Sequence, residues 1–145
     1  MLSKSKKYYT EALLAKYGSP KGASISEVDK LEQELGIKLP HALREYYLWM
    51  GKHSDGPLIG TDCFIGDLKD NTAYLQEFLT ENGLEHPVDS EYLVFYSHQG
   101  YVLAWIYLKD GDMPNVYYFG EGNTDQIVVV DSIDEWFLDD LSGNH

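Results

Sequence analysis

A chain of 145 residues is long enough for one domain with its own core and cramped for two. Apolar residues make up 43% of it and aromatics 14%, which excludes disorder along its length. Lys and Arg number 11 against 24 Asp and Glu, a formal charge of -13; such a surface repels phosphates and suits either solubility or a basic protein partner.

Residues 1–23 are the basic exception, with Lys4, Lys6, Lys7, Lys16 and Lys21 against Glu11 alone. These lysines lead into Tyr8-Tyr9-Thr10-Glu11 and not into an apolar run, so no signal peptide is expected. A first helix is predicted over Ser3 to Lys16, with Tyr9, Leu13 and Tyr17 four apart, ending at Gly18-Ser19-Pro20. Ser24 with Glu27 forms a capping-box pair that opens a second helix to Leu35, stopped by Gly36. Leu39-Pro40 leads into a third, with Leu43, Tyr46, Tyr47 and Met50 inward and Gly51 at its end.

Short extended stretches are expected at Leu58-Ile59 and Cys63-Phe64-Ile65. Asp70 or Asn71 caps a further helix through Tyr74, Leu75, Phe78 and Leu79, ending at Asn82-Gly83. Beyond it lie four β-rich runs, Tyr92–Tyr96, Tyr101–Tyr107, Val116–Phe119 and Ile127–Val130, separated by turn-forming residues. Ser132 with Glu135 is a second capping-box pair, opening a C-terminal helix that carries Ile133, Trp136, Phe137 and Leu141. Strands joined by short turns imply an antiparallel meander, so the expected class is α+β, a sheet packed by N-terminal helices and a C-terminal helix. The expected organisation is a single domain over 1–145, a core of about 24–141 preceded by a basic helical extension over 1–23.

The run Ile25-Ser26-Glu27-Val28-Asp29-Lys30-Leu31-Glu32-Gln33-Glu34-Leu35-Gly36-Ile37-Lys38-Leu39-Pro40 is an acidic amphipathic helix, a Leu-Gly stop and a Leu-Pro. Next comes a second helix rich in Tyr and Leu, Leu43-Arg44-Glu45-Tyr46-Tyr47-Leu48-Trp49-Met50-Gly51. With Pro114-Asn115-Val116-Tyr117-Tyr118 and Asp131-Ser132-Ile133-Asp134-Glu135-Trp136-Phe137, this order resembles the SMI1/KNR4 (SUKH) family over roughly residues 24–141. Where many members carry an Asn-Gly-Gly-like turn after the second helix, this chain has Met50-Gly51-Lys52-His53. The resemblance implies a helix-packed antiparallel sheet and a non-catalytic role. Bacterial members look like immunity proteins that neutralise polymorphic toxins, many of them nucleases, and fungal relatives include a regulator of cell-wall synthesis acting through protein contacts. The expectation is therefore an immunity protein binding a basic toxin domain, with a regulatory scaffold as the alternative.

Residue patterns that carry chemistry point the same way. His41, His53, His86, His98 and His145 are scattered without ligand spacing, and Cys63 is the only cysteine, which excludes an intrachain disulfide and suits a reducing cytoplasm. Asp110-x-Asp112 lacks the remaining ligands of a calcium loop, and Gly120-Glu121-Gly122 lacks the third glycine and helix of a nucleotide cradle. Ser97-His98 are neighbours in sequence, which is no triad. Tyr101, Trp105 and Tyr107 alternate as base-stacking residues do, but acidic flanks favour core packing under the helices. No enzyme activity, cofactor, metal, nucleic acid or membrane is expected, and the longest apolar stretch, Tyr101 to Leu108, is far short of the roughly 20 residues of a span. After Lys109 there is no Lys or Arg, so the partner-binding candidates are Asp110, Asp112, Glu121, Asp125, Asp139 and Asp140. Asp134 and Glu135 suit the terminal helix's own N-terminus. Sheet edges leave monomer and homodimer both open.

Overall fold

The computed structural model describes residues 1–84, 91–120 and 127–143. Its first helix is interrupted. α1 (Ser3–Tyr8) widens into a π-helical turn, Tyr9–Leu13, before α2 (Leu14–Tyr17). A wide turn adds a residue to the helical repeat and rotates the next turn about the axis. Tyr9 is therefore buried while Tyr17, expected on the same face, is 41% exposed. The N-terminus is docked firmly. Leu2 is buried in the main core, and the Asp134 carboxylate accepts from the N–H groups of Lys4 at 3.1 Å and Ser5 at 2.8 Å. Ser5 Oγ returns a bond to the Asp134 carbonyl at 2.8 Å.

α3 (Ile25–Leu35) begins with the full Ser24–Glu27 capping box and ends on Gly36 at φ 67°, a left-handed conformation that glycine adopts freely. α4 (His41–Met50) starts after Pro40, whose side chain offers no acceptor. Asp112 supplies the cap instead. Its Oδ1 accepts from His41 N–H at 3.3 Å and its carbonyl from Ala42 N–H at 3.0 Å. At the other end of α4, Ala23 N–H donates to the Tyr47 carbonyl at 2.8 Å. Only glycine fits beside that contact, because a Cβ on Gly22 would lie 1.8 Å from the Leu48 carbonyl oxygen.

Neither of the two extended stretches expected after α4 forms. Leu58 and Ile59 lie in turns, and a 3-10 turn occupies Ile65–Asp67. The strand falls between them as β1 (Thr61–Asp62). α5 (Leu68–Glu81) begins earlier than the Asp70 or Asn71 cap implied. Asn71 is inside the helix and donates from Nδ2 to the Asp62 carbonyl at 2.7 Å, which ties α5 to β1.

β2 (Tyr92–His98), β3 (Val102–Tyr107), β4 (Val116–Gly120) and β5 (Val128–Val130) pair antiparallel in chain order with β1 at one edge, and α6 (Ile133–Ser142) closes the fold. The protein is α+β, with helices on both sheet faces. α5 covers one face with Leu75, Phe78 and Leu79 against Val94, Leu103, Trp105 and Phe119. α3, α4 and α6 cover the other, where Val28, Leu31, Leu43, Tyr46 and Phe137 meet Leu93, Phe95, Ala104 and Ile106. Trp105 is fully buried, beneath α5 and not beneath the helices that open at Ser24 and Pro40. Tyr101 departs from the core packing expected of it: it precedes β3 and is 39% exposed.

One irregularity in β2 decides which way the far half of that strand faces. Val94 pairs with Trp105 and Tyr96 with Ala104, so Phe95 is an extra residue in a β-bulge. In a regular strand Tyr92, Val94 and Tyr96 share a face. Here Val94 points to α5, while Phe95 and Tyr96 both point to the opposite face. The downstream half of β2 is thereby turned over, and His98 shares that face with Tyr96.

Candidate functional site

On that face, at the end of the sheet where β2 turns into β3, lies a cleft of about 530 Å3. Its floor is built from two rows of paired residues. Thr61, His98, Val102 and Gly120 are successive cross-strand partners over β1 to β4. Tyr96, Ala104 and Tyr118 form the next row inward. α6 walls the cleft with Trp136 and Asp140, and Leu58 and Tyr101 lie at its margin.

The walls are aromatic and interlocked. The Trp136 ring meets Tyr96 at 5.1 Å and Tyr118 at 4.9 Å between centroids, and His98 meets Tyr101 edge-on at 5.6 Å. Polar groups are few and fixed. Tyr96 Oη donates to Asp140 Oδ1 at 3.0 Å, and Thr61 Oγ1 lies 2.9 Å from His98 Nδ1. Burial and the Asp140 charge push the Tyr96 phenol far above its ordinary range, while the neighbouring Thr61 hydroxyl pulls the other way. Beneath the cleft, burial likewise pushes the Cys63 thiol well up, with Asp140 adding to the effect against the Tyr46 hydroxyl. Both are held in their neutral forms.

Backbone strain gathers at the same place. Among the described residues, two that are not glycine have positive φ, Leu58 at 64° and Gln99 at 50°. Leu58 lines the cleft, and Gln99 with Gly100 closes the turn between His98 and Tyr101. Such residues cost roughly 1–3 kcal/mol each and cluster at functional sites.

The four acidic candidates among the described residues are not gathered into one site. Asp140 lies in the cleft. Asp139 is the preceding residue of α6, half-buried. Asp110 and Asp112 lie beyond the opposite end of β3, where Asp110 is exposed and Asp112 caps α4. Glu121 and Asp125 fall outside the described residues. Asp134 caps α1, a helix distant in sequence, and Glu135 pairs with Lys4 while its N–H donates to Ser132 Oγ at 3.0 Å. The residues sequence reasoning passed over are Thr61, Tyr96, His98, Tyr118 and Trp136. The bulge that aims Tyr96 leaves no mark in composition or spacing.

Among the described residues no group of three or more His, Cys, Asp or Glu is placed to hold a metal ion, and no helix is long and apolar enough to cross a membrane. A short antiparallel meander with helices on both faces and a cleft at one sheet end make up the α+β fold. Residues 22–139 match the SMI1 / KNR4 family (SUKH-1), and the chain belongs to that family. A comparison with curated proteins finds no match.

Proposed function

We propose that this chain is a non-catalytic immunity protein that acts in the cytoplasm by binding and neutralising a cognate toxin domain with a basic, nuclease-type surface. The observation that carries the reading is the cleft: aromatic walls and a carboxylate, on a chain with a formal charge of -13. Aromatic anchors and charge complementarity are what protein interfaces use. Family membership supports a protein-binding role. The chemistry near the cleft supports binding over bond-making. Burial pushes the Tyr96 phenol and the Cys63 thiol up, which is the reverse of an activated nucleophile. Thr61 and His98 are a hydroxyl–imidazole pair, but among the described residues no carboxylate is hydrogen-bonded to the imidazole to orient it.

The test is co-expression with the product of a flanking gene that is toxic when expressed alone. Growth should be rescued, and the purified pair should form a complex of equal stoichiometry by calorimetry. Toxicity that persists at full expression of this chain, with no complex, would leave the regulatory scaffold as the better reading.

A further inference from the structure

The cleft has a chemistry more specific than a sticky patch. Among its described lining residues none is a lysine or arginine, and the acidic side chain they include is Asp140, set among aromatic rings. The Tyr96 phenol, itself 5% exposed, holds that carboxylate at 3.0 Å and so fixes where its charge sits. Trp136 meets Tyr96 edge-on and Tyr118 in a tilted arrangement. Tyr101 stands exposed at the mouth, edge-on to His98. Ring faces attract cations, and the attraction grows as water is excluded. A carboxylate inside such a frame selects a cation over a neutral group.

We propose that the cleft receives an arginine side chain of the protein partner, its guanidinium meeting Asp140 and its plane lying against the accessible rings of Tyr118 and Tyr101; this rests on the protein-binding reading above. Arginine fits better than lysine for three reasons. Its guanidinium is planar, it stacks on aromatic faces, and it is more weakly hydrated than an ammonium, so it loses less on entering a half-closed site. A volume of about 530 Å3 accommodates the whole side chain with the peptide backbone outside. Leu58 at the margin has left-handed backbone, as do Gln99 and Gly100 in the adjoining turn.

The experiment is an amide NMR titration of the full chain with N-acetyl-L-argininamide, with N-acetyl-L-citrullinamide as the neutral isostere. The argininamide should shift the amides of Thr61, His98, Tyr118 and Asp140, and the citrullinamide should bind about 10-fold more weakly. Asp140→Asn keeps an acceptor for Tyr96 while removing the charge, and should weaken the argininamide by about 10-fold. Tyr101→Ala removes the ring at the mouth together with its edge-on contact to His98 and should weaken it about 3-fold. Equal binding of the two probes, or shifts confined to other surfaces, would overturn the proposal. n-Butylguanidine carries the same guanidinium and single charge without a peptide backbone; binding about 10-fold tighter than the argininamide would assign the cleft to a free small cation and overturn the protein source. Toxin neutralisation by the Asp140→Asn chain separates this inference from the reading it rests on. Full neutralisation with no argininamide response overturns the cleft assignment alone. Failure of the unaltered chain to neutralise, with the argininamide still bound, overturns the proposed function and the protein source of the arginine together.

Discussion

Tyr46 and Tyr47 are adjacent, both fully buried, and differently provided for. Tyr46 Oη donates to the Cys63 carbonyl at 2.9 Å, and its ring stacks on Phe137 at 4.0 Å. Tyr47 Oη is buried without a hydrogen-bond partner among the described residues. Burial pushes both phenols well up, so each hydroxyl keeps its proton. A hydroxyl deprived of water and of a partner costs about 1–3 kcal/mol. Tyr47→Phe is therefore expected to be neutral or stabilising by about 1 kcal/mol, read as a raised midpoint in urea. Tyr46→Phe should lose about 1–3 kcal/mol, because it strands a buried carbonyl. Periodicity placed both rings inward. Which one had a partner depended on the Cys63 loop, brought close by pairing across the chain.

At the scale of elements, the helices with local signals were legible and the contacts made at a distance were not. α3 carries its own start and stop, Ser24 with Glu27 and then Gly36, and forms where they place it. β1 does not: two residues make no pattern, and their place is set by pairing with Ser97 and His98. The cleft shares that fate, since its residues come from β1, β2, β3, β4 and α6. Asp134 shows the same limit. It sits in the first turn of α6 where its own helix dipole favours an acid, yet its oxygens bond to α1. Asp134→Ala should cost about 1–3 kcal/mol. Amide exchange should quicken in residues 3–9 well before it does in β3. Uniform acceleration across the domain would show that α1 is not held by this cap.

For the molecule as a whole, an acid excess of 13 over the bases makes the field long-ranged. Capture of a basic partner should slow as salt rises from about 0.05 to about 0.3 M, with the dissociation rate nearly constant. A rate indifferent to salt would mean that contact chemistry governs encounter. Stability should also depend on acid. Burial, the strongest single influence on Glu45, pushes its carboxyl up, but the Lys6 ammonium at 2.9 Å and the Leu2 N–H at 3.2 Å outweigh it and hold the group low. A carboxyl lowered by folding stabilises above its unfolded value of about 4.3 and loses that contribution as pH falls. Between about pH 6 and pH 3 the melting temperature should therefore fall more steeply for the unaltered chain than for Glu45→Gln. Parallel profiles would remove Glu45 from the acid response.

The bulge at Phe95 acts as an expansion joint in β2. Upstream of it, Tyr92, Leu93 and Val94 keep step with Tyr107, Ile106 and Trp105; downstream, Tyr96, Ser97 and His98 keep step with Ala104, Leu103 and Val102. The two halves are phased independently, because the extra residue belongs to neither ladder. Deleting Phe95 would join them into one regular strand with every remaining pair intact, at the cost of an aromatic packed 5.7 Å from Phe137. A slip in the core-building half can be absorbed at the joint without turning Tyr96 and His98 away from the cleft. Sequence change in one half of the strand is thus mechanically insulated from the cleft in the other.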